Sequence, residues 1–427
     1  MPLPVASRAE SLAFLAEVAG PSVAKGAILR RPRIVGLVGR LGLDRRAVLR
    51  MQRLRDRYGP GPLMVRTPDR PTAVILAAEH VRRVLDGSPA PFATDSSEKR
   101  AALAHFEPAG VLISRPPARA DRRRYNEAVL RPGHAAHPLA DRFREIVGEE
   151  LGVLLAGPGP RPLDWERFAP CFRRIVRRVT LGDGARDDTE LTSQLDRLRG
   201  AANWAWLGPG RRRLRARFLA RLGAHVARAE PGSLAAVMAT VPAARSTEPV
   251  QQVPQWLFAF DAVALTVLRS LALLATHSEA SARARAEPSL LRAVLLESLR
   301  LWPTTPLVLR ETAAETVWDS GAMPAGSRVV IFAPFFHRDG RRLPYADRLA
   351  LELWTAEAEG DWPLIPFSRG PAACPGRPLA LLLGTELLAR LFGSGAVVLR
   401  SRSGLDPARP LPAGLDPFAL RFELRGA

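Results

Sequence analysis

Cys374 lies in the stretch Phe367-Ser368-Arg369-Gly370-Pro371-Ala372-Ala373-Cys374-Pro375-Gly376, just before an apolar segment with helical spacing. A thiolate there faces the positive end of a helix and its free backbone N–H groups, and both stabilise a sulfur anion and its bond to a metal. One cysteine cannot by itself complete a structural zinc or iron–sulfur site, which needs several ligands. Gly370 and Gly376 leave unhindered backbone where a loop must pass close to a flat ligand, and Phe367 can cover the sulfur from water. The arrangement suits a haem. Taken alone, the stretch also reads as a small apolar cysteine in a Pro/Gly loop. Glu297-Ser298-Leu299-Arg300, 77 residues ahead of Cys374 at its glutamate, sets an acid and a base on one helix face just before Trp302-Pro303. In isolation such a pair is a common surface ion pair. His337-Arg338-Asp339 has the form of a kinase catalytic loop, but no Gly-rich loop, lysine strand or Asp-Phe-Gly accompanies it. His134 and His137 lack the further Cys or acid that a zinc set requires, and read as solvated helix-end histidines. Cys171, in Pro170-Cys171-Phe172, reads as a buried inert thiol.

Together, the pattern Phe-x-x-Gly-x-x-x-Cys-x-Gly (Phe367, Gly370, Cys374, Gly376) and the upstream Glu-x-x-Arg (Glu297, Arg300) resemble the signatures of the cytochrome P450 family. The resemblance covers roughly Leu63 to Leu420. It implies haem b as cofactor with Cys374 as axial ligand to the iron, and a structural triad of Glu297, Arg300 and Arg348 that locks the fold around it. His337-Arg338-Asp339 then matches a turn common in the family. The same resemblance places Arg310, and Arg119 with Arg123, at the haem propionates, where guanidinium suits a carboxylate by paired hydrogen bonds. Arg122 or Arg124 could replace that second pair. It implies a substrate pocket lined by Trp256, Phe260 and Val263, by Leu307 and Val308, and by the loop around Phe106 to Ile113. Those walls are apolar and favour a hydrophobic or amphipathic small molecule, such as an intermediate of bacterial secondary metabolism.

Two departures bear on mechanism. Ala372 stands where many members carry an Arg or His for a propionate. In the long helix, where the family usually has an acid followed by threonine to relay protons during oxygen activation, this chain reads Ala259-Phe260-Asp261-Ala262-Val263. Asp261 lies one residue early, about 100° around the helix, and Thr266 lies three residues late. These two are the weak substitutes available. Three readings follow: a monooxygenase that draws protons from ordered water or a substrate hydroxyl, a peroxide-using or oxidative-coupling enzyme, and a haem-bearing scaffold or recruitment protein without turnover. Retention of the thiolate, Glu297, Arg300 and Arg348 favours the first two. The expected partners are O2 and a separate ferredoxin with its NAD(P)H-dependent reductase, since no flavin or iron–sulfur segment is fused.

The elements that must position these residues follow from the apolar patterning. The chain has 427 residues, 47% hydrophobic and 24% charged, which suffices for a large buried core. No linker, repeat or low-complexity tract divides it, so residues 1–427 read as one haem domain, with 1–50 the segment least assigned. Leu63-Met64-Val65 and Ala73-Val74-Ile75-Leu76, separated by Pro68-Asp69-Arg70-Pro71, predict a two-strand hairpin. From Ala118 onward helical spacing dominates. Trp256 to His277 is apolar nearly all round and predicts a helix buried through the interior, with charges only at Asp261 and Arg269. Helices at Leu290–Trp302 and Leu379–Phe392 and a strand at Val329–Phe332 complete the pattern, a mainly α (α+β) fold with small β-sheets.

The net charge of +20 invites a nucleic-acid reading, but 60 of the 62 basic residues are arginines spread from end to end, Lys25 and Lys99 being the exceptions. The densest run, Arg211 to Arg217, has no interleaved aromatics and reads as a solvated helix face. No nucleic-acid partner is expected. A basic surface would instead steer an acidic protein. Residues 1–20 show neither a leader pattern nor a membrane span, and two cysteines fit a reducing cytoplasm.

Overall fold

The computed structural model describes residues 1–426 apart from 135, 206, 207, 209 and 355–363. The chain falls into two compact units interleaved along the sequence. Helices predominate, and the strands form sheets of five, three and two, the mainly α (α+β) organisation expected.

The first unit comprises Met1–Ser96, Leu296–Cys374 and Ser403–Asp416. Its five-stranded sheet begins with the expected hairpin, Leu63–Val65 antiparallel to Thr72–Val74 with Leu63 opposite Val74. Thr72–Val74 runs parallel to Arg328–Phe332, which pairs antiparallel with Leu307–Thr312, and Phe92–Ala93 forms the far edge. Val329, Val330 and Ile331 are buried at the sheet centre, where β-branched side chains pack well on a pleated surface. The arginine-rich helix Leu43–Tyr58 still contributes a core face, because Ala47, Val48, Met51 and Leu54 recur on one side and meet the cluster around Leu63, Val74, Ile331 and Phe335. Full burial of a side chain of this size contributes about 1.5–3 kcal/mol. The helix stops at Gly59, whose φ of +81° closes its last turn.

His337-Arg338-Asp339 forms the structural turn that the resemblance implied. Asp339 accepts from Gln52 Nε2 at 3.0 Å and pairs with Arg55. Arg338 is spent on the carbonyls of Leu301, Leu411 and Pro412 and on Asp347. His337 Nε2 accepts from the Ile365 N–H at 3.0 Å, and burial, with Arg300 nearby, pushes its pKa down to about 3. Its ring is therefore neutral across the physiological range.

The second unit comprises Ser97–Leu295, Pro375–Arg402 and Pro417–Ala427. Its axis is an almost continuous helix, Val253–Ala259 followed by Asp261–Thr276, with Phe260 still in helical conformation between them. The hydrogen-bond ladder tightens there, Val263 N–H donating to Phe260 O at 2.8 Å. The span Pro249–Thr276 is long and apolar enough to cross a membrane, but 72% of its most apolar window is buried inside the protein, as in the core helix expected. Helix Arg377–Gly393 packs directly against it, and Gly384 permits the approach. A Cβ at Gly384 would lie 3.1 Å from Leu295 and 3.3 Å from Val263. Nearby, Glu150 is 1% exposed and neutralised by Arg174, Arg178 and Arg186. A buried carboxylate needs such partners to remain charged. The sheet of this unit pairs Arg421–Arg425 with both Arg161–Asp164 and Ala396–Leu399.

Candidate functional site

The cysteine loop in the first unit is fixed by its own backbone. Cys374 N–H donates to Phe367 O at 2.9 Å, Ala373 N–H to Gly370 O at 2.9 Å, and Ser368 N–H to Ile365 O at 3.0 Å. Gly370 has φ +69°, and a Cβ added there would sit 2.5 Å from the Leu85 carbonyl oxygen. Only glycine fits both demands. The outcome is a rigid turn that leaves the Cys374 thiol exposed, whereas Cys171 is fully buried. Helix Arg377–Gly393 starts three residues later with no side-chain cap on its first N–H groups. This set of donors fits haem-thiolate ligation: one presented sulfur on a backbone-fixed loop, and no cluster of three or more His, Cys, Asp or Glu among the described residues that would cage a metal ion instead.

Glu297 and Arg300 form the expected pair. Both are 0% exposed, with Arg300 Nε and Nη2 bonded to the two Glu297 oxygens at 2.8 and 2.6 Å. Arg300 also donates to the carbonyls of His337, Tyr345, Ala346 and Arg348. The third member differs from expectation. Arg348 is exposed, and it joins the network through its carbonyl, which accepts from Arg300 Nη2 at 2.8 Å. The chain at 345–348 turns its carbonyls toward the guanidinium, so the Arg348 side chain points away from it. Glu297 is completed instead by the Ala350 N–H at 2.8 Å and the Trp354 indole N–H at 2.9 Å. Trp354 had no distinguishing motif in the sequence.

Arg310, also in the first unit, is buried and donates to Ser88 Oγ and to the Leu309 carbonyl. Leu307 and Val308 are half-buried on the same strand. In the second unit Arg119 and Arg123 lie one turn apart on helix Ala118–Leu130, and Arg123 pairs with Glu127 at 2.6 Å. Arg122, the alternative, is committed to Ser114, the Ser246 carbonyl and Glu248. Arg124 pairs with Asp121.

On the long helix Trp256, Phe260 and Val263 are all buried, and Trp256 Nε1 donates to Asn126 Oδ1 at 2.7 Å. Asp261 is held by Arg199 at 2.7 Å, beside a small cavity that Asp196, Arg173 and Arg177 also line. The partner lies on a different helix, Thr189–Ala202, which nothing in the sequence singled out. Thr266 is buried and donates its hydroxyl to the Ala262 carbonyl at 2.7 Å. Both candidate relay groups are thus engaged in intramolecular bonds.

The family model for cytochrome P450 matches residues 264–392, which include Glu297, Arg300 and Cys374. Cyclooctat-9-en-7-ol 5-monooxygenase of Streptomyces melanosporofaciens is 32% identical over 155 residues, 31% of this chain and 34% of that protein. Luteothin monooxygenase of Streptomyces thioluteus is 32% identical over 156 residues, 35% of this chain and 36% of that protein. These alignments span about a third of the length of either relative. Among solved structures, CYP108D1 from Novosphingobium aromaticivorans superposes with a TM-score of 0.71 at 18% identity, covering all of both chains. Residues 264–392 match the cytochrome P450 family, and the whole chain has the cytochrome P450 fold.

Within the P450 fold the two cysteines differ sharply in chemistry. Burial pushes the Cys171 thiol up to about 12, and its Sγ donates to the Glu150 carbonyl. Cys374 is exposed. A thiol reagent added to native haem-free protein is therefore expected to modify one cysteine per chain, with both reacting after unfolding. Peptide mapping checks the site. Fast labelling of Cys171 in the native protein would contradict the burial. One further residue escaped the sequence reading: Arg377, just past Cys374, is lowered by burial and by the neighbouring guanidinium of Arg292.

Proposed function

We propose that the protein is a haem-thiolate monooxygenase that holds haem b through Cys374 and oxidises a hydrophobic small molecule with O2. The presented thiol on its backbone-fixed loop carries this reading. Haem, when bound, supplies the redox chemistry that activates oxygen. Cys374 would donate electron density to the iron, Phe367 would shield the sulfur, and Gly370 and Gly376 would leave room for the macrocycle. Arg310, Arg119 and Arg123 would meet the propionates. Trp256, Phe260 and Val263 on the helix, with Leu307 and Val308 on the strand, would present apolar surface to the substrate and exclude water. In this reading residues 1–427 act as one haem domain in a soluble, cytoplasmic protein of bacterial secondary metabolism. The two Streptomyces relatives are named for oxidations of cyclooctat-9-en-7-ol and luteothin, which supports a small-molecule substrate. Electrons would come from a separate ferredoxin and its NAD(P)H-dependent reductase, with surface arginines on the cysteine side suited to an acidic partner.

Proton supply separates two readings. With Asp261 bonded to Arg199 and Thr266 to its own helix, protons in the first reading come from ordered water or a substrate hydroxyl. The same engagement favours a second reading, a peroxide-using or oxidative-coupling P450, for which the relay matters less. The test is turnover with a ferredoxin, its reductase and NAD(P)H under labelled dioxygen, beside a parallel run with hydrogen peroxide. Label in the product supports the first reading, and product from peroxide alone supports the second. Haem-loaded protein inactive in both regimes removes both.

A further inference from the structure

Ten large hydrophobic side chains are exposed among the described residues, and seven of them lie within the first 49 positions. Single exposed leucines need no explanation, but three of these form a pattern. Helix Pro32–Arg40 carries apolar side chains at Ile34, Val35, Leu37 and Val38, and Leu41 caps it in helical conformation. At about 100° per residue these five cover an arc of roughly 160°. The fold uses only part of that arc. Val38 is buried and Ile34 and Val35 are half-buried, whereas Leu37 is 45% exposed and Leu41 52%. Leu37 and Leu41 stand one turn apart at the same edge, with the exposed Arg33 and Arg40 beside them.

The next helix, Leu43–Tyr58, begins just past Leu41, after the turn at Gly42 with φ +62°, and packs on the first. Its core face is Ala47, Val48, Met51 and Leu54. On the opposite face Leu49 is 37% exposed, with the exposed Arg45, Arg46 and Arg53 one turn away along the helix. Nine arginines and a single acid occupy residues 26–55, and that acid, Asp44, is held by Lys25 at 2.7 Å. Each helix thus presents leucines bordered by guanidiniums, which stay charged at every physiological pH.

We propose that this face seats the protein on a membrane surface rich in anionic lipid, with the three leucines entering the boundary between headgroups and acyl chains and the arginines meeting lipid phosphates. Charge selects the occupant. A second copy of this chain carries the same net charge of +20 and sets arginines against arginines. Nucleic acid offers phosphates but gives the leucines nothing to enter. A lipid surface satisfies both groups, since arginine stems lie along the apolar boundary and keep their heads at the phosphates. The helices lie on the membrane and do not cross it, and attachment through three leucines is reversible. The inference needs neither haem nor turnover, so it stands apart from the monooxygenase reading.

The test sediments full-length, haem-loaded protein with sucrose-filled vesicles of phosphatidylcholine, alone or mixed with phosphatidylglycerol. Binding to the mixed vesicles is expected to be about tenfold stronger, and to weaken as salt is raised. Leu37→Ser with Leu41→Ser lowers it about tenfold, and the variant keeps the wild-type melting temperature because both side chains are exposed. Arg33→Gln with Arg40→Gln also lowers it about tenfold. Arg213→Gln with Arg217→Gln, which removes as much charge from an exposed face of helix Arg212–Arg228, keeps binding within about twofold of wild type. Equal binding to both vesicle types, equal loss from the two arginine pairs, or full binding by the leucine pair overturns the proposal. Absence of vesicle binding overturns it too, and protection of Arg33 and Arg40 from arginine-specific modification by an acidic ferredoxin then assigns the face to a protein partner. Should the leucine pair fail to fold, the two arginine pairs decide by the same ratios. Absence of the thiolate-type carbon monoxide band would sink the monooxygenase function and leave vesicle binding unchanged.

Discussion

Reduced, haem-loaded wild-type protein shows the thiolate-type band in its carbon monoxide difference spectrum, and Cys374→Ser abolishes it together with all turnover. The expectation rests on the loop geometry. The Cys374 N–H to Phe367 O bond and the Ala373 N–H to Gly370 O bond are main-chain contacts that serine preserves, so the turn keeps its shape. The side chain is exposed, and surface substitutions of this kind usually alter stability by no more than about 0.5 kcal/mol. The variant therefore separates ligand chemistry from folding. Equal unfolding midpoints with loss of the band assign the sulfur its role. A band that persists in Cys374→Ser would remove Cys374 from the iron and with it the proposed monooxygenase function.

Breaking the Glu297–Arg300 pair has the largest expected effect on stability. Arg300→Met leaves a carboxylate at 0% exposure with two remaining donors, the Ala350 N–H and the Trp354 indole, and deprives four carbonyls of their donor. Removing one partner of a buried ion pair typically costs about 3–5 kcal/mol, a large part of the roughly 5–15 kcal/mol that keeps a protein folded. Arg348→Ala should change stability by no more than about 0.5 kcal/mol, since its contribution is a carbonyl that alanine also has. Trp354→Phe falls between, at about 1.5–3 kcal/mol for a hydrogen bond to a charged group. Urea unfolding of the three variants gives the order directly. A loss at Arg348→Ala as large as at Arg300→Met would restore the side-chain triad and refute the backbone account.

The parts of the site legible in the sequence are those where one residue type is required at one spacing. Cys374 with its two glycines is such a case, and Gly370 shows why: its backbone conformation and its distance from Leu85 both forbid a side chain. Glu297 and Arg300 are another, since helical spacing alone brings them together. The long helix was legible because a run apolar on every side has nowhere to go but the interior. What the sequence hid are choices between main chain and side chain, and pairings across long separations. The motif implied a guanidinium at Arg348, whereas the fold uses a carbonyl at that position and Trp354 near it. Asp261 finds Arg199 across 62 positions, and no local pattern marks that partner.

Arg300 grips its surroundings almost wholly through peptide oxygens, and a peptide oxygen is the same in every amino acid. The clamp therefore checks only the path of the chain through 337 and 345–348 and is blind to the side chains carried there. Such a device tolerates wide drift in the strap it holds, provided no change bends the strap away. It offers a physical route by which a fold can persist at 18% identity.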